Sequence, residues 1–333
     1  MIESRDSSYV TKQGDARLVG DIGGTNARFG WQASAGARIE DIQTLACAQH
    51  QSLEAAIRAY LSLTGKPMPV VASLGMANPV TQDTVAMTNH HWQFSVTGMR
   101  RSLGLQRLCV LNDFTALALA LPTLDASVLH PIGGGEKVVG APMALLGAGT
   151  GLGVSGLLRG SGGGWVPLAG EGGHVSLTAH TQLEFDVVQH LQKLHGHVSA
   201  ERVLSGAGLV ALHDALNTLH GVRFEPLNDA SQVLQTALTQ NQGSAMEAVH
   251  LFCGFLGSVA GDLALTLGAR GGVYIGGGIV PRLGQLFWQS PFRERFEAKG
   301  RMRRILQDIP VWVIDSPQSP ALDGAAQALE EPH

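Results

Sequence analysis

The stretch LVGDIGGTNARFG, residues 18–30, decides the fold, because it places a tight glycine turn between two short apolar segments. We predict a strand over residues 17–20, a turn over 21–26 and a second strand over 27–32. The glycines let backbone N–H groups face a ligand, and Thr25 and Asn26 add donors suited to phosphate oxygens. Asp21 cannot favourably touch a phosphate, but its carboxylate can hold the water shell of Mg²⁺. A hairpin turn without a ligand is the alternative interpretation.

A second segment, GAGTGLGVSG at residues 147–156, repeats this order of strand, glycine turn and strand. We predict strands over 142–146 and 154–158, with the turn between them, and the repeat suggests two related domains. Gly151, Gly153 and Gly156 also match the GxGxxG pattern of dinucleotide folds. That pattern must open a helix, whereas another glycine cluster follows here, so we interpret the turn as a second phosphate loop.

Elsewhere, short apolar runs alternate with helical spacing, which predicts an α/β fold with a mixed sheet. Gly277 and Gly278 lie between a predicted strand and a predicted helix, where a nucleotide can approach, although a packing turn explains them equally well. We predict further strands over 69–76, 107–111 and 272–275, and helices over 52–62, 98–103, 114–121, 280–288 and 323–329.

Composition excludes several classes of protein. The 333 residues suggest about two domains, and 44% apolar with 15% charged residues excludes a disordered chain. A net charge of −4 argues against a nucleic-acid-binding protein, and three scattered cysteines favour reduced thiols over a zinc site. The uncharged run 138–158 is long enough to cross a bilayer, but its six glycines and one proline favour two strands instead.

Asn112 and Asp113 follow the predicted buried strand 107–111 and precede a predicted helix. An acidic residue at this position lies at the carboxyl end of a strand, where sites of α/β proteins usually form. Asn and Asp are also favoured helix N-caps, so position alone leaves both roles open.

Two glycine- and serine-rich segments, EGGH at 171–174 and VSAER at 198–202, carry Glu171, His174 and Glu201. Carboxylates and imidazoles suit sugar hydroxyls, which need acceptors and donors at fixed spacing. A metal site is the rival interpretation, but neither HExxH nor paired histidine spacing supports one. Together with the two glycine turns, these residues indicate a site for a nucleotide and a polyol.

Seven segments, in order along the chain, resemble the bacterial hexose kinases known as glucokinases, of the actin/hexokinase/heat-shock-chaperone ATPase superfamily. The likeness extends from about residue 18 to about residue 329. The segments are LVGDIGGTNARFG, VAMTNHHWQFS, LNDFTALALALP, GAGTGLGVS, PLAGEGGHVSL, HVSAERVLSGAGLV and GGVYIGGGIVPRL. The resemblance implies two domains of ribonuclease-H-like, actin-like ATPase fold, with a nucleotide and sugar cleft between them.

The resemblance also implies phosphorylation of the 6-hydroxyl of D-glucose by ATP and Mg²⁺. The catalytic aspartate of the family falls on Asp113, and its sugar ligands fall on Asn112, Asp113, Glu171, His174 and Glu201. Its nucleotide-binding segment falls on Gly20, Asp21, Ile22, Gly23, Gly24 and Thr25. Asn26, Gly149, Thr150, Gly151, Gly277 and Gly278 complete the ATP site that we predict, with Asp21 in the outer shell of the metal.

We expect a flexible extension over residues 1–16, a small α/β domain over 17–122 plus 315–333, and a large α/β domain over 123–314. We also expect a cytoplasmic homodimer that acts in glycolysis, with neither nucleic acid nor membrane as a partner. Two alternatives stay open: a kinase for mannose, fructose or an N-acetylated hexosamine, and a non-catalytic sugar sensor. The presence of Asp113 and the lack of a helix-turn-helix segment argue against the sensor.

Overall fold

The computed structural model describes residues 1–6, 9–88, 90–222, 226–240 and 243–330. The strands are β1 (Ile2–Arg5), β2 (Arg17–Ile22), β3 (Asn26–Gln32), β4 (Ile39–Ala46), β5 (Val71–Met76), β6 (Thr84–Ala86), β7 (Gln93–Ser95), β8 (Arg107–Asn112), β9 (Leu129–Pro131), β10 (Met143–Ala148), β11 (Leu152–Arg159), β12 (Trp165–Ala169), β13 (Val273–Gly276) and β14 (Val311–Ile314). The helices are α1 (Leu53–Thr64), α2 (Val96–Ser102), α3 (Asp113–Ala120), α4 (Gln182–His195), α5 (Ala200–Val203), α6 (Gly206–Leu219), α7 (Ala230–Gln240), α8 (Ser244–Leu267), α9 (Ile279–Leu283), α10 (Gln285–Trp288), α11 (Phe292–Glu297), α12 (Arg303–Gln307) and α13 (Ala321–Gln327).

The first sheet has six strands in the order β1-β8-β5-β2-β3-β4. Strands β2, β5 and β8 are parallel, while β1, β3 and β4 each run antiparallel to a neighbour. All six residues of β5 are buried, as expected of a central strand that is covered on both faces. The carboxyl ends of the three parallel strands therefore meet at one edge of the sheet.

The second sheet also has six strands, in the order β12-β11-β10-β13-β14-β9. Strands β10, β13 and β14 are parallel, and β9 pairs antiparallel with β14. A two-stranded sheet, β6 with β7, completes the strands of the described residues. The predicted α/β class with mixed sheets is confirmed.

The chain divides into two compact units. The first comprises Met1–Leu124, Leu157–Ala169 and Ser316–His333, and the second comprises Asp125–Gly156 and Gly170–Asp315. The predicted domain limits differ from this division at residues 157–169, because β12 packs against α3 of the first unit. Sequence patterns did not indicate that residues 157–169 belong with the first unit, since this segment lies far along the chain from α3.

Each unit has its own hydrophobic core. In the first unit, α13 packs against α3 so closely that a Cβ on Gly324 would overlap the carbonyl oxygen of Ala116. In the second unit, α8 packs against α11, and both Gly257 and Gly261 allow this close approach. Helix α8 is apolar and long enough to cross a membrane, but 67% of its most apolar window is buried, which is typical of a core helix.

Two predictions about local structure are wrong. Residues 1–16 are not simply a flexible extension, because Ile2–Arg5 forms β1 and pairs with β8 along the whole strand. The helix predicted over 280–288 is broken into α9 and α10 by Gly284, whose φ of 52° interrupts the helix. The first of these helices begins at Ile279, before Pro281 rather than at it.

Candidate active site

The turn of the first unit is shorter than predicted, because Asp21 and Ile22 still belong to β2 and Asn26 begins β3. The N–H of Gly23 donates to the carbonyl oxygen of Asn26 at 2.9 Å, which closes the turn over Gly24 and Thr25. Thr25 is exposed at the tip of this turn, and Gly24 beside it is partly buried. Gly20 is a packing residue, since a Cβ there would lie 2.7 Å from the Leu74 side chain.

Asn112 and Asp113 lie where β8 ends and α3 begins, as predicted, and the structure separates their roles. Asn112 is the N-cap of α3: its Oδ1 accepts from the N–H groups of Phe114 and Thr115 at 3.0 and 3.2 Å. Asp113 is the first helical residue, and its Oδ1 accepts from the Phe114 N–H at 2.9 Å. The capping role thus falls on Asn112, and the second carboxylate oxygen of Asp113 has no role in the cap.

Burial raises the pKa of Asp113 from 3.8 to about 6. The hydrogen bond from Phe114 opposes this shift, and the negative charge of Asp21 adds to it. A carboxylate with a pKa this close to neutrality can accept and release a proton near physiological pH. Perturbed groups of this kind concentrate at functional sites.

Arg28 is a residue of this site that our sequence reasoning missed. It faces Asp21 across the β2–β3 pair, and its Nη1 lies 3.3 Å from Asp21 Oδ2. The pairing register of the β2–β3 hairpin could have identified Arg28, because it places Arg28 opposite Asp21. Arg28 neutralises part of the acidic charge at this edge of the sheet.

Asn78 is a second missed residue, and it follows β5 as Asn112 closes β8. Its carbonyl oxygen accepts from Asn112 Nδ2 at 3.4 Å, and its Oδ1 accepts from the N–H of Thr88 at 2.9 Å. Asn78 therefore connects the N-cap of α3 with the loop that contains Thr88. An asparagine after a buried strand is the signal that could have identified it.

In the second unit, Glu201 is held at the glycine turn that joins β10 and β11. Its Oε2 accepts from the Leu152 N–H at 2.8 Å, and a Cβ on Gly151 would overlap the same oxygen. Gly149 is tied to the start of α6, since its carbonyl oxygen accepts from the Gly206 N–H at 2.9 Å. The absence of a side chain at Gly151 thus makes room for the carboxylate of Glu201.

The structure also brings His174 to Glu201, with 3.8 Å between His174 Nε2 and Glu201 Oε1. Glu171 lies at the start of the same short 3-10 turn, and its carbonyl oxygen accepts from the His174 N–H at 3.0 Å. His174 and Glu171 are exposed, whereas Glu201 is partly buried. His174 and Glu201 therefore form one polar cluster, and Glu171 lies three residues before His174 at the start of the same turn.

Gly277 and Gly278 lie between β13 and α9, as predicted. Gly277 has a φ of 78°, and a Cβ there would overlap the carbonyl oxygen of Ala148, so close packing already requires glycine at this position. Gly278 precedes the short helix α9, and Thr150 is exposed on the neighbouring turn of the same unit.

Among the described residues, no group of three His, Cys, Asp or Glu side chains could hold a metal ion. Asp21 contributes one partly exposed carboxylate that is shared with Arg28. A single carboxylate does not make a dedicated metal cage, but it fits a Mg²⁺ ion that is held mainly by phosphates and water.

Comparison with protein families matches residues 18–332 to the model described as glucokinase. The chain is 54% identical over 315 residues to a glucokinase of Aromatoleum aromaticum, with 94% of both chains covered. It is 52% identical over 315 residues to a glucokinase of Chromobacterium violaceum, covering 95% of this chain and 89% of that one.

Solved structures with the same fold include a glucokinase from an Antarctic psychrotroph, with a TM-score of 0.86, 38% identity and coverage of 95% of this chain and 99% of that one. A Balamuthia mandrillaris glucokinase in complex with glucose has a TM-score of 0.76 at 20% identity, covering 95% and 94%. A ROK family glucokinase from Streptomyces griseus in complex with glucose and AMPPNP has a TM-score of 0.60 at 20% identity, covering 94% and 98%. The last two likenesses concern the fold alone, which is that of the actin-like ATPases.

Proposed function

The chain belongs to the glucokinase family, and we propose that it transfers the γ-phosphoryl group of ATP to the 6-hydroxyl of D-glucose with Asp113 as the general base. The observation that carries this proposal is the environment of Asp113. Its carboxylate stands at the carboxyl end of β8, is buried enough to raise its pKa to about 6, and lies close enough to Asp21 to feel its charge.

Asp113 accepts the proton of the sugar hydroxyl as that oxygen attacks the γ-phosphorus in line. The N–H of Phe114 holds one carboxylate oxygen, which fixes the orientation of the group and leaves the other oxygen for the proton. Phosphoryl transfer depends mainly on positioning and charge neutralisation, so a correctly oriented base with a pKa near 6 suits the reaction at neutral pH.

Asn112, Glu171, His174 and Glu201 bind the remaining hydroxyls of the same sugar. The cluster of the second unit supports this role, because Glu201 is anchored by the Leu152 N–H through one oxygen and keeps the other beside His174. Carboxylates accept hydrogen bonds from hydroxyl groups, and the imidazole can donate one. Asn112 uses its Oδ1 for the helix, and its amide nitrogen donates one hydrogen bond to the Asn78 carbonyl oxygen and has a second N–H for the sugar.

ATP binds to the glycine turns and to the end of β2 that leads into the first turn, with backbone N–H groups of the turns facing its phosphates. The proposed set comprises Gly20, Asp21, Ile22, Gly23, Gly24, Thr25, Asn26, Gly149, Thr150, Gly151, Gly277 and Gly278. Asp21 would hold Mg²⁺ through water, and the ion would supply charge neutralisation at the phosphate oxygens. Arg28 keeps Asp21 in place for this task through the contact at 3.3 Å.

We further propose that the protein is a cytoplasmic homodimer that supplies glycolysis. The three cysteines, Cys47, Cys109 and Cys253, are free and buried, which is compatible with a reducing compartment. Light scattering coupled to size-exclusion chromatography tests the dimer, and a monomer at micromolar concentration would exclude it.

A coupled assay of ADP formation with a panel of hexoses tests the main proposal. We expect glucose to give the highest kcat/KM among glucose, mannose, fructose and N-acetylglucosamine. A higher kcat/KM with another sugar would identify that sugar as the preferred substrate. No turnover with any of the four sugars would favour a sugar sensor.

A further inference from the structure

A second group of charged residues lies in the first unit, at the opposite end of its sheet from Asp113. Arg17 begins β2 and Arg107 begins β8, whereas Asp21 is near the far end of β2 and Asp113 follows the far end of β8. With about 3.3 Å per residue, four residues of β2 separate Arg17 from Asp21 by ~13 Å. The group is therefore distinct from the candidate active site.

An open pocket of about 500 Å³ lies at this end of the sheet. Its volume is within the range of roughly 300–1,000 Å³ that is typical of small-molecule sites. Its lining includes the cations Arg5, Lys12, Arg17 and Arg107, and Glu330 is the acidic residue among the described residues that line it. The lining of the pocket is therefore predominantly positive.

Arg17 is buried, with only 1% of its surface exposed. Its Nη1 forms an ion pair with Oε1 of Glu330, whose side chain is 41% exposed, and its buried Nε has no hydrogen-bond partner in the described part of the chain. A buried charge needs good pairing to offset the loss of its hydration, and unpaired buried donors are rare in folded proteins. Glu330 alone therefore satisfies the Arg17 guanidinium incompletely.

Arg107 has more hydrogen-bond partners than Arg17, but it also has a buried donor that no described residue pairs with. Its Nη2 donates to Glu3 at 2.8 Å, and its Nη1 donates to Thr11 at 3.1 Å and to the carbonyl oxygen of Leu329 at 2.9 Å. Its Nε, like that of Arg17, is buried and has no partner among the described residues. Two buried guanidinium groups with unused donors thus line the same pocket, one on β2 and one on β8, with β5 between the two strands.

The other acidic groups nearby are already engaged. Glu3 also lies 3.7 Å from Arg5, and Asp15 accepts hydrogen bonds from the Tyr9 hydroxyl and from the Lys12 N–H. Arg5 and Lys12 are exposed, so their charged ends can reach a molecule in the pocket. The arrangement leaves an excess of cationic donors that an anion can use.

We propose that this pocket binds a small molecule that carries a phosphate group, with its oxygens replacing Glu330 against Arg17 and contacting Arg5 and Lys12. Arginine donors match the geometry of phosphate oxygens, and such charge-assisted hydrogen bonds are among the strong ones. Glu330 then acts as an internal competitor for the same guanidinium.

Calorimetry with inorganic phosphate, and separately with glucose 6-phosphate, tests the proposal. Saturating glucose and AMPPNP are present throughout, so that phosphates do not compete for the candidate active site. We expect Glu330→Gln to tighten binding by about fivefold, and the double variant Arg5→Gln/Lys12→Gln to weaken it by about tenfold. Arg58→Gln is the matched control, since Arg58 is an exposed arginine of the same unit that pairs with a nearby glutamate.

The double variant changes exposed side chains only, so it remains informative if Glu330→Gln lowers the melting temperature. Tighter binding of glucose 6-phosphate than of inorganic phosphate supports a phosphorylated metabolite as the ligand, and equal affinities support phosphate itself. Unchanged affinity in the double variant, or an equal loss in the Arg58 control, would overturn the proposal. Failure to detect binding of either probe at about 20 mM would also overturn it, independently of the sugar-kinase activity.

Discussion

The two glycine turns look alike in sequence but differ in what they hold. In the first unit, the turn after β2 follows a carboxylate of its own strand, Asp21, which lies near the partly buried Asp113 and pairs with Arg28. In the second unit, the turn after β10 carries no carboxylate and instead receives Glu201 from α5. The first turn follows an acidic residue of its own strand. The second turn provides space at Gly151 and the N–H group of Leu152 for the carboxylate of Glu201.

This difference shows that a shared backbone motif does not by itself define a shared ligand. Both turns were interpreted as phosphate loops, yet at Gly151 the position of a missing Cβ is filled by a protein carboxylate. Gly149 lies two residues away, and no atom lies within 4 Å of a Cβ built there. The two glycines of one turn therefore serve different purposes.

The largest expected effect tests whether Asp113 is the general base of the reaction. Asp113→Asn removes the proton acceptor, and we expect kcat to fall by about 10²–10⁴-fold while glucose still binds. Steady-state rates and calorimetry with glucose measure the two quantities. A variant with kcat within threefold of the wild type would rule out Asp113 as the base.

The same substitution has a second readout. Because the pKa of Asp113 is raised to about 6 in the folded state, its ionisation reduces stability as the pH rises from about 4 through 6. At pH 7 this costs roughly 3 kcal/mol, so Asp113→Asn is expected to raise the melting temperature at pH 7 and much less at pH 4. A lower melting temperature at both pH values would indicate a purely structural role.

The next effect separates the two glycines of the second turn. A methyl group at position 151 would displace the Glu201 carboxylate, so Gly151→Ala is expected to raise the KM for glucose by about 10–100-fold. Gly149→Ala is the matched control, because neither glycine has a positive φ and the methyl group at 149 meets no atom. Equal KM values for glucose in both variants would contradict the role of Gly151.

A smaller effect is expected from Glu201→Gln, which keeps the size of the side chain and removes its charge. A glutamine oxygen can still accept from the Leu152 N–H, but a neutral acceptor is weaker, so the KM for glucose should rise by about tenfold. The KM for ATP is measured in parallel. If both KM values rise together with a lower melting temperature, Glu201 supports the fold rather than the sugar.

The smallest effect concerns the charge of Asp21. The carboxylate of Asp21 contributes to the raised pKa of Asp113, so the acidic limb of the pH–rate profile should lie near pH 6 and shift to lower pH in Asp21→Asn. Glu40→Gln, an exposed carboxylate of the same unit, should leave the limb in place. An unchanged or raised limb in Asp21→Asn would show that the two carboxylates are not coupled.

Sequence patterns predicted the α/β class, the two turns and the approximate place of seven of the fourteen strands in the described part of the chain, because buried strands and glycine turns have local signatures. They could not predict β1, since Ile2–Arg5 is polar in part and becomes a strand only by pairing with β8. They also could not predict the break at Gly284, because a glycine inside a helical pattern is often tolerated.

The residues of the candidate site were named from motifs and from family resemblance, whereas their partners required coordinates. The contact of Glu201 with Leu152 joins positions far apart in the chain, and nothing in their local sequence indicates it. The division of roles between Asn112 and Asp113 is likewise a matter of which oxygen faces which N–H group. Long-range pairing of this kind is set by the tertiary fold.

The packing of α13 on α3 has a consequence for how the molecule is made. A ribosome adds α13 to the chain only after every residue of the second unit has been added. Most of the first unit precedes the second unit along the chain, yet α3 gains its close-packed neighbour only after the second unit has been synthesised. The first unit is therefore completed only after the second, and a nascent chain that stops before residue 321 lacks the helix that packs against α3, where the proposed base lies.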